Sequence, residues 1–131
     1  MESAPRAAII MSVPTRVLIV DDNADFLRAS RRLIERDGTS VAAVASTGEE
    51  AIRLARELHP DVVLVDIDLG RESGFDLARR LHDDPDVQTM TILISTHAED
   101  DFADRVAESP ALGFLSKSRL STAAIRNMLE G

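Results

Sequence analysis

The sequence predicts an α/β fold, a (βα)5 doubly wound parallel sheet of five strands with helices on both faces. Three observations predict it. Five short apolar runs alternate with five segments whose apolar residues recur at helical spacing. One run, Val62-Val63-Leu64-Val65, is wholly apolar and mostly β-branched, the pattern of a strand buried on both faces. Finally, acidic, hydroxyl and lysine side chains gather where these runs end. Strands that alternate with helices pair in parallel through crossovers, which places helices on both faces of the sheet.

The elements follow in order. Arg16–Val20 is a buried strand that ends at Asp21-Asp22-Asn23. Ala24–Arg36 is a helix with Phe26, Leu27, Leu33 and Ile34 on one face and arginines on the other, closed by Asp37-Gly38. Ser40–Ala45 is a second, weakly apolar strand suited to an edge. Thr47 and Glu50 make a capping-box pattern that opens a helix running to Leu58, with Ile52, Ala55 and Leu58 inward. The third strand follows Pro60 and ends at Asp66, and Gly70 and Gly74 open the loop beyond it. Ser73–His82 is a helix with Phe75, Leu77, Ala78 and Leu81 inward. Thr91–Ser95 is a fourth strand, and Glu99–Glu108 a shorter acidic helix ended by Pro110. Gly113–Ser116 is the fifth strand, and Ser121–Leu129 a last helix with Ile125, Met128 and Leu129 inward.

At 131 residues, 44% apolar and 29% charged, the chain has the composition of one soluble globular domain. Its net charge of −8 argues against nonspecific binding to nucleic acid or anionic membrane. No cysteine is present, which excludes disulfides, thiolate metal sites and a cysteine nucleophile. No apolar run is long enough to span a membrane. Residues 1–15 make a poor signal peptide and read as a flexible tail before a domain at 16–131, with Met1 or Met11 as the start. A cytoplasmic protein is expected.

The strand ends carry the chemistry. The first strand supplies Asp21 and Asp22, the third Asp66, the fourth Ser95 and Thr96, the fifth Lys117. In an open α/β sheet the carboxyl ends of the strands form the ligand crevice. Three carboxylates meeting there repel one another, and a hard divalent cation such as Mg²⁺ relieves that repulsion. A lysine and a hydroxyl complete a cradle for a transferred phosphoryl group. The set reads as an aspartyl-phosphate site in which Asp66 attacks, Mg²⁺ and Lys117 neutralise, and Ser95 hydrogen-bonds an oxygen. Each residue alone has a plainer role. Asp21, Asp22 and Asn23 suit a helix cap, Ser95 and Thr96 a turn, and Lys117 a solvated surface. Their coincidence at successive strand ends favours the site. His59, His82 and His97 lack metal-ligand spacing and are expected to be solvated.

The segments Leu18–Asp22 (LIVDD), Asp61–Gly74 (DVVLVDIDLGRESG), Ile92–Thr96 (ILIST) and Gly113–Ser118 (GFLSKS) carry a family resemblance. Over roughly residues 16–130 the chain resembles the receiver domain of bacterial two-component response regulators. The resemblance implies a flavodoxin-like sheet with strand order 2-1-3-4-5. It implies that Asp66 is the phosphoacceptor and that Asp21 and Asp22 serve Mg²⁺. The backbone carbonyl of Asp68 matches the third protein ligand of the metal. Ser95 matches the switch hydroxyl, Phe114 the switch aromatic and Lys117 the phosphate-contacting lysine. The chain departs from the family at Leu69-Gly70, where Met-Pro is common, at Thr96 in place of alanine, and at Ser118 in place of proline. Asp68 and His97 stand where side chains influence self-dephosphorylation.

The resemblance implies a histidine kinase or phosphotransfer protein as donor and an unidentified protein as downstream partner. No direct nucleic-acid or membrane contact is expected, and the chain should be a monomer or a phosphorylation-dependent homodimer. Such a protein is a phosphoacceptor rather than a conventional enzyme. With only Glu130 and Gly131 after the last helix, a single-domain regulator is expected, or a fragment of a longer one. Two other readings remain. Asp66-Ile67-Asp68 mimics the paired aspartates of haloacid-dehalogenase phosphatases, although those stand on a first strand. A phosphorylation-independent interaction module is the third, and the complete Asp, Asp, Asp, Ser and Lys set weighs against it.

Overall fold

The computed structural model of the protein describes residues 15–131; the expected tail lies outside them apart from Thr15. Five parallel strands form one sheet: β1 Arg16–Val20, β2 Ser40–Ala45, β3 Val62–Asp66, β4 Met90–Ser95 and β5 Gly113–Ser116. Their order is β2-β1-β3-β4-β5, as the resemblance implied, with the weakly apolar β2 at an edge. The helices are α1 Ala24–Arg36, α2 Gly48–Leu58, α3 Gly74–Asp83, α4 Ala103–Glu108 and α5 Thr122–Glu130. A two-residue antiparallel ribbon, Asp68–Leu69 with Glu72–Ser73, leaves the end of β3.

Alternation along the strands divides the core in two. Val17, Ile19, Val62, Leu64, Ile92 and Ile94 pack against α1 and α5. Leu18, Val20, Val63, Val65 and Leu93 pack against α2 and α3, with Phe102 and Val106 closing the margin. All five residues of β3 are buried, and burial of a valine or leucine stabilises by roughly 1.5–3 kcal/mol. The central strand is held on both faces, which makes its end a fixed platform. The chain crosses from β1 outward to β2 and then back past β1 to β3, so the winding reverses between β1 and β3. Their carboxyl ends flank the resulting crevice.

The caps set the helix starts. Asn23 caps α1, accepting from Asp25 N at 3.0 Å and Phe26 N at 3.1 Å, which leaves Asp21 and Asp22 outside that role. Ser73 and Ser121 cap α3 and α5, so each helix begins one residue later than expected from sequence. Thr47 accepts from Glu50 N, while Glu50 answers to Ser46 N at 2.9 Å instead of to Thr47.

The expected Glu99–Glu108 helix is interrupted. A 3₁₀ turn spans Glu99–Asp101, Phe102 leaves helical geometry at φ −132°, and α4 begins at Ala103. Phe102 supplies the reason: its ring packs 6.3 Å from Phe75 and 5.8 Å from His97, against the core margin. The segment follows that contact at the expense of its own helical ladder.

His59, read as a solvated side chain, also closes α2. It is exposed but left-handed, at φ 49° and ψ 59°, and is the one non-glycine residue with positive φ among those described. A β-branched side chain is poorly accommodated there. His59→Val should cost about 1–2 kcal/mol in chemical denaturation, and an unchanged midpoint would show that this cap relaxes freely.

Candidate functional site

Three strand ends build the site. Asp21 prolongs β1, donating its N–H to Ala45 O at 3.0 Å, and its side chain is fully buried. Asp22 follows it and is exposed. Asp66 closes β3 and is 7% exposed. One carboxylate oxygen from each of the three lies within 4.8 Å of the other two. Lys117 enters from the end of β5, with its ammonium 2.5 Å from Asp21 Oδ2 and donating to Asp66 Oδ2 at 3.2 Å. The same ammonium stands 4.3 Å from the centre of the Phe26 ring, which fixes the lysine from the α1 side.

Hydrogen bonds orient the acids. Asp21 Oδ1 accepts from Asn23 N at 2.9 Å, and Asp66 Oδ1 accepts from Asp68 N at 3.1 Å. The Asp68 side chain is exposed and takes the Gly70 N–H at 3.1 Å. Asp21 Oδ2 is buried, and its close partner is the Lys117 ammonium.

The electrostatics are unbalanced. Burial raises the Asp66 carboxyl above its ordinary range; the Asp68 N–H opposes this, repulsion from Asp21 adds to it, and Lys117 opposes it again. Burial works against the Lys117 ammonium, yet Asp21 and Asp66 together outweigh it and hold the amine above its ordinary range. Ionised, three carboxylates and one ammonium carry −3 + 1 = −2. At an effective dielectric of about 20, two unit charges 4 Å apart interact by about 4 kcal/mol, so this excess favours a cation. Three converging carboxylate oxygens, only partly neutralised by one ammonium, fit a hard divalent ion.

The remaining expected site residues lie around this centre. Ser95 is buried at the end of β4, but its hydroxyl accepts from His97 N at 2.9 Å and approaches His97 Nδ1 at 3.4 Å. It makes no hydrogen bond to Asp66 or Lys117 among the described residues. Thr96 is exposed. Phe114 is buried at 7% exposure within the α2–α3 side of the core. The Lys117–Ser118 peptide is trans, like every other described one. His82 pairs with its neighbour Asp83 at the surface, and of the three histidines only His97 touches the site, through Ser95.

Two contributors escaped the sequence reading. Helical periodicity places Phe26 only on the core face of α1, although it also supports Lys117. Gly74 was read as a loop opener, but a Cβ there would lie 2.0 Å from Asp66 O and 2.7 Å from Ile67 Cα. Its N–H donates to Ile67 O at 2.8 Å, so α3 starts directly against the end of β3. Neither contact has a local signature, since each joins segments that only the fold brings together.

A five-stranded parallel sheet with an acidic crevice and a lysine opposite defines a doubly wound, flavodoxin-like α/β module. The response regulator receiver domain family model matches residues 17–130, and the chain belongs to that family. The response regulator GacA of Pseudomonas viridiflava is 37% identical over 105 residues, covering 78% of this chain and 48% of that protein. The chain thus spans about half the length of the GacA relatives it matches. The polar-differentiation response regulator DivK of Brucella ovis is 33% identical over 102 residues, covering 77% of this chain and 82% of that one. Among solved structures, a response regulator protein from Burkholderia pseudomallei with a phosphorylated aspartic acid, calcium ion and citrate superposes with a TM-score of 0.73. It is 28% identical, over 88% of this chain and 66% of that one. No helix among the described residues is long and apolar enough to cross a membrane.

Proposed function

We propose that this receiver domain accepts a phosphoryl group on Asp66 from a histidine kinase or phosphotransfer protein, with Mg²⁺ bound by Asp21, Asp22, Asp66 and the Asp68 carbonyl. The convergence of three carboxylate oxygens within 4.8 Å, with Lys117 bridging Asp21 and Asp66, carries this reading. The phosphorylated aspartic acid and calcium ion of the Burkholderia relative support it. When bound, Mg²⁺ supplies positive charge to oxygens of the transferred group. A carboxylate oxygen of Asp66 attacks phosphorus, the phosphorus–nitrogen bond of the donor phosphohistidine breaks, and its electron pair leaves on the imidazole. Lys117, already 3.2 Å from Asp66, neutralises charge on the arriving oxygens. Asp68 is poorly placed for the phosphatase alternative, since its carboxylate is exposed and engaged by Gly70.

Output follows from the same geometry. As Ser95 Oγ, which accepts from His97 N, turns its O–H toward a phosphoryl oxygen, the end of β4 shifts inward, and the packing around Phe114 shifts with it. The face of α4, β5 and α5 then changes and is read by a downstream protein. Thr96, exposed just past the end of β4, tunes loss of the phosphoryl group together with Asp68 and His97. We assign the chain to the cytoplasm, as a receiver domain that is a monomer or a phosphorylation-dependent homodimer.

Incubation with a small phosphodonor and Mg²⁺ should add one phosphoryl mass to the intact protein, and excess chelator should abolish it. Equal labelling under chelator would remove the metal from the reaction. An absence of labelling under all conditions would favour the interaction-module reading.

A further inference from the structure

Glu72 and Gly48 form a long-range pairing beside the acidic crevice. Glu72 lies in the ribbon that leaves β3, opposite Leu69, while Ser73 pairs with Asp68. Both of its carboxylate oxygens accept from the Gly48 N–H, at 3.2 and 3.1 Å, across 24 residues of chain. Gly48 is buried and opens α2, where the first N–H groups have no partner within the helix. Thr47 satisfies Glu50 N, so it does not serve Gly48. The positive end of the α2 dipole favours the Glu72 charge. A Cβ on Gly48 would stand 2.4 Å from Glu72 Oε1, so the glycine leaves the space that the carboxylate fills.

The other end of the ribbon meets the acidic site. Asp68 N–H donates to Asp66 Oδ1, and at the turn a Cβ on Gly70 would lie 3.1 Å from Asp22 Oδ2. The ribbon is thus anchored at the site on one side and at the amino end of α2 on the other.

We propose that Glu72 is a positioning residue: by clamping the ribbon to α2 through Gly48, it fixes the Asp68 backbone against Asp66 and thereby tunes metal affinity. This rests on the metal reading above. Without the clamp the ribbon keeps its two-residue ladder but loses its outer anchor. The Asp68 carbonyl is then presented by a looser loop.

The test is Mg²⁺ titration followed by amide chemical shifts on Glu72→Ala, Glu72→Gln, Gly48→Ala, the Gly48→Ala/Glu72→Ala double variant and Asp22→Ala. Loss of a group bonded directly to a ligand typically weakens a metal about 10-fold or more. Glu72 stands one contact further out, so Glu72→Ala should weaken Mg²⁺ binding by a smaller but measurable factor, roughly 3-fold. Glu72→Gln retains an acceptor oxygen and should recover most of the affinity. Gly48→Ala expels the carboxylate and should resemble Glu72→Ala, while the double variant should be no weaker than either single one. In the metal-free protein, Gly48 amide exchange should accelerate in Glu72→Ala. Wild-type Mg²⁺ affinity in Glu72→Ala, with Asp22→Ala impaired, would overturn the role of Glu72 alone. So would additive losses in the double variant. Wild-type affinity in Asp22→Ala would overturn the metal site itself, and this inference with it.

Discussion

Asp66→Asn is expected to abolish phosphoryl incorporation while leaving the protein folded. The amide keeps the size of the carboxylate and an oxygen able to accept the Asp68 N–H that now bonds Asp66 Oδ1. What it loses is the charge that makes the group a nucleophile. No neighbour replaces it. Asp21 is fully buried and tied to Asn23 and Lys117, and Asp22 is exposed at the end of β1 without the Lys117 contact that Asp66 has. The variant should not be less stable. Burial and the adjacent Asp21 both disfavour the Asp66 charge, so its removal relieves a cost that Lys117 only partly offsets. Intact-mass spectrometry after phosphodonor treatment checks the first point and thermal denaturation the second. Single-site labelling that persists in a folded Asp66→Asn protein would move the acceptor elsewhere.

Gly74→Ala should be the most damaging single methyl in the molecule. The added Cβ would meet Asp66 O at 2.0 Å, Ile67 Cα at 2.7 Å and Asp66 C at 2.8 Å. All three are backbone atoms of the central strand and its extension, which cannot swing aside as the end of a flexible side chain can. Relief requires α3 to withdraw, breaking the 2.8 Å Gly74 N–Ile67 O bond and loosening Phe75, Leu77, Ala78 and Leu81 from the core. Overpacking on this scale costs about 3 kcal/mol or more, a fall in Tm of roughly 10 °C. Phosphorylation should slow as well, because the displaced backbone carries the Asp66 carboxylate. A Tm within a degree or two of wild type would mean that α3 re-seats without strain.

Much of this architecture is legible in one sequence because it is written locally. Strand limits at Arg16–Val20, Ser40–Ala45 and Gly113–Ser116 coincide with the folded ones, since apolar, β-branched runs are bounded by turn residues. The α1 limits coincide too, set by the Asn23 cap and by Gly38 after Asp37. The positions of Asp21, Asp22, Asp66, Ser95 and Lys117 at strand ends follow from the same punctuation. The sequence pattern failed where tertiary contact competes with local preference. The acidic run from Glu99 to Glu108 could be one helix, but Phe102 gains more by packing on Phe75 and His97.

The sequence by itself determined the inventory: which side chains stand at the strand ends, and that they are acidic, hydroxylic or basic. Only the tertiary structure decided their distances. β1 and β3 become neighbours although β2 lies between them in the chain, and that adjacency brings three carboxylates within 4.8 Å. Sheet packing likewise lays Lys117 over Phe26, seats Gly74 against Asp66 and closes Glu72 on Gly48. Periodicity and capping act over a few residues and can be read along the chain. A contact between distant segments depends on how whole helices settle on the sheet.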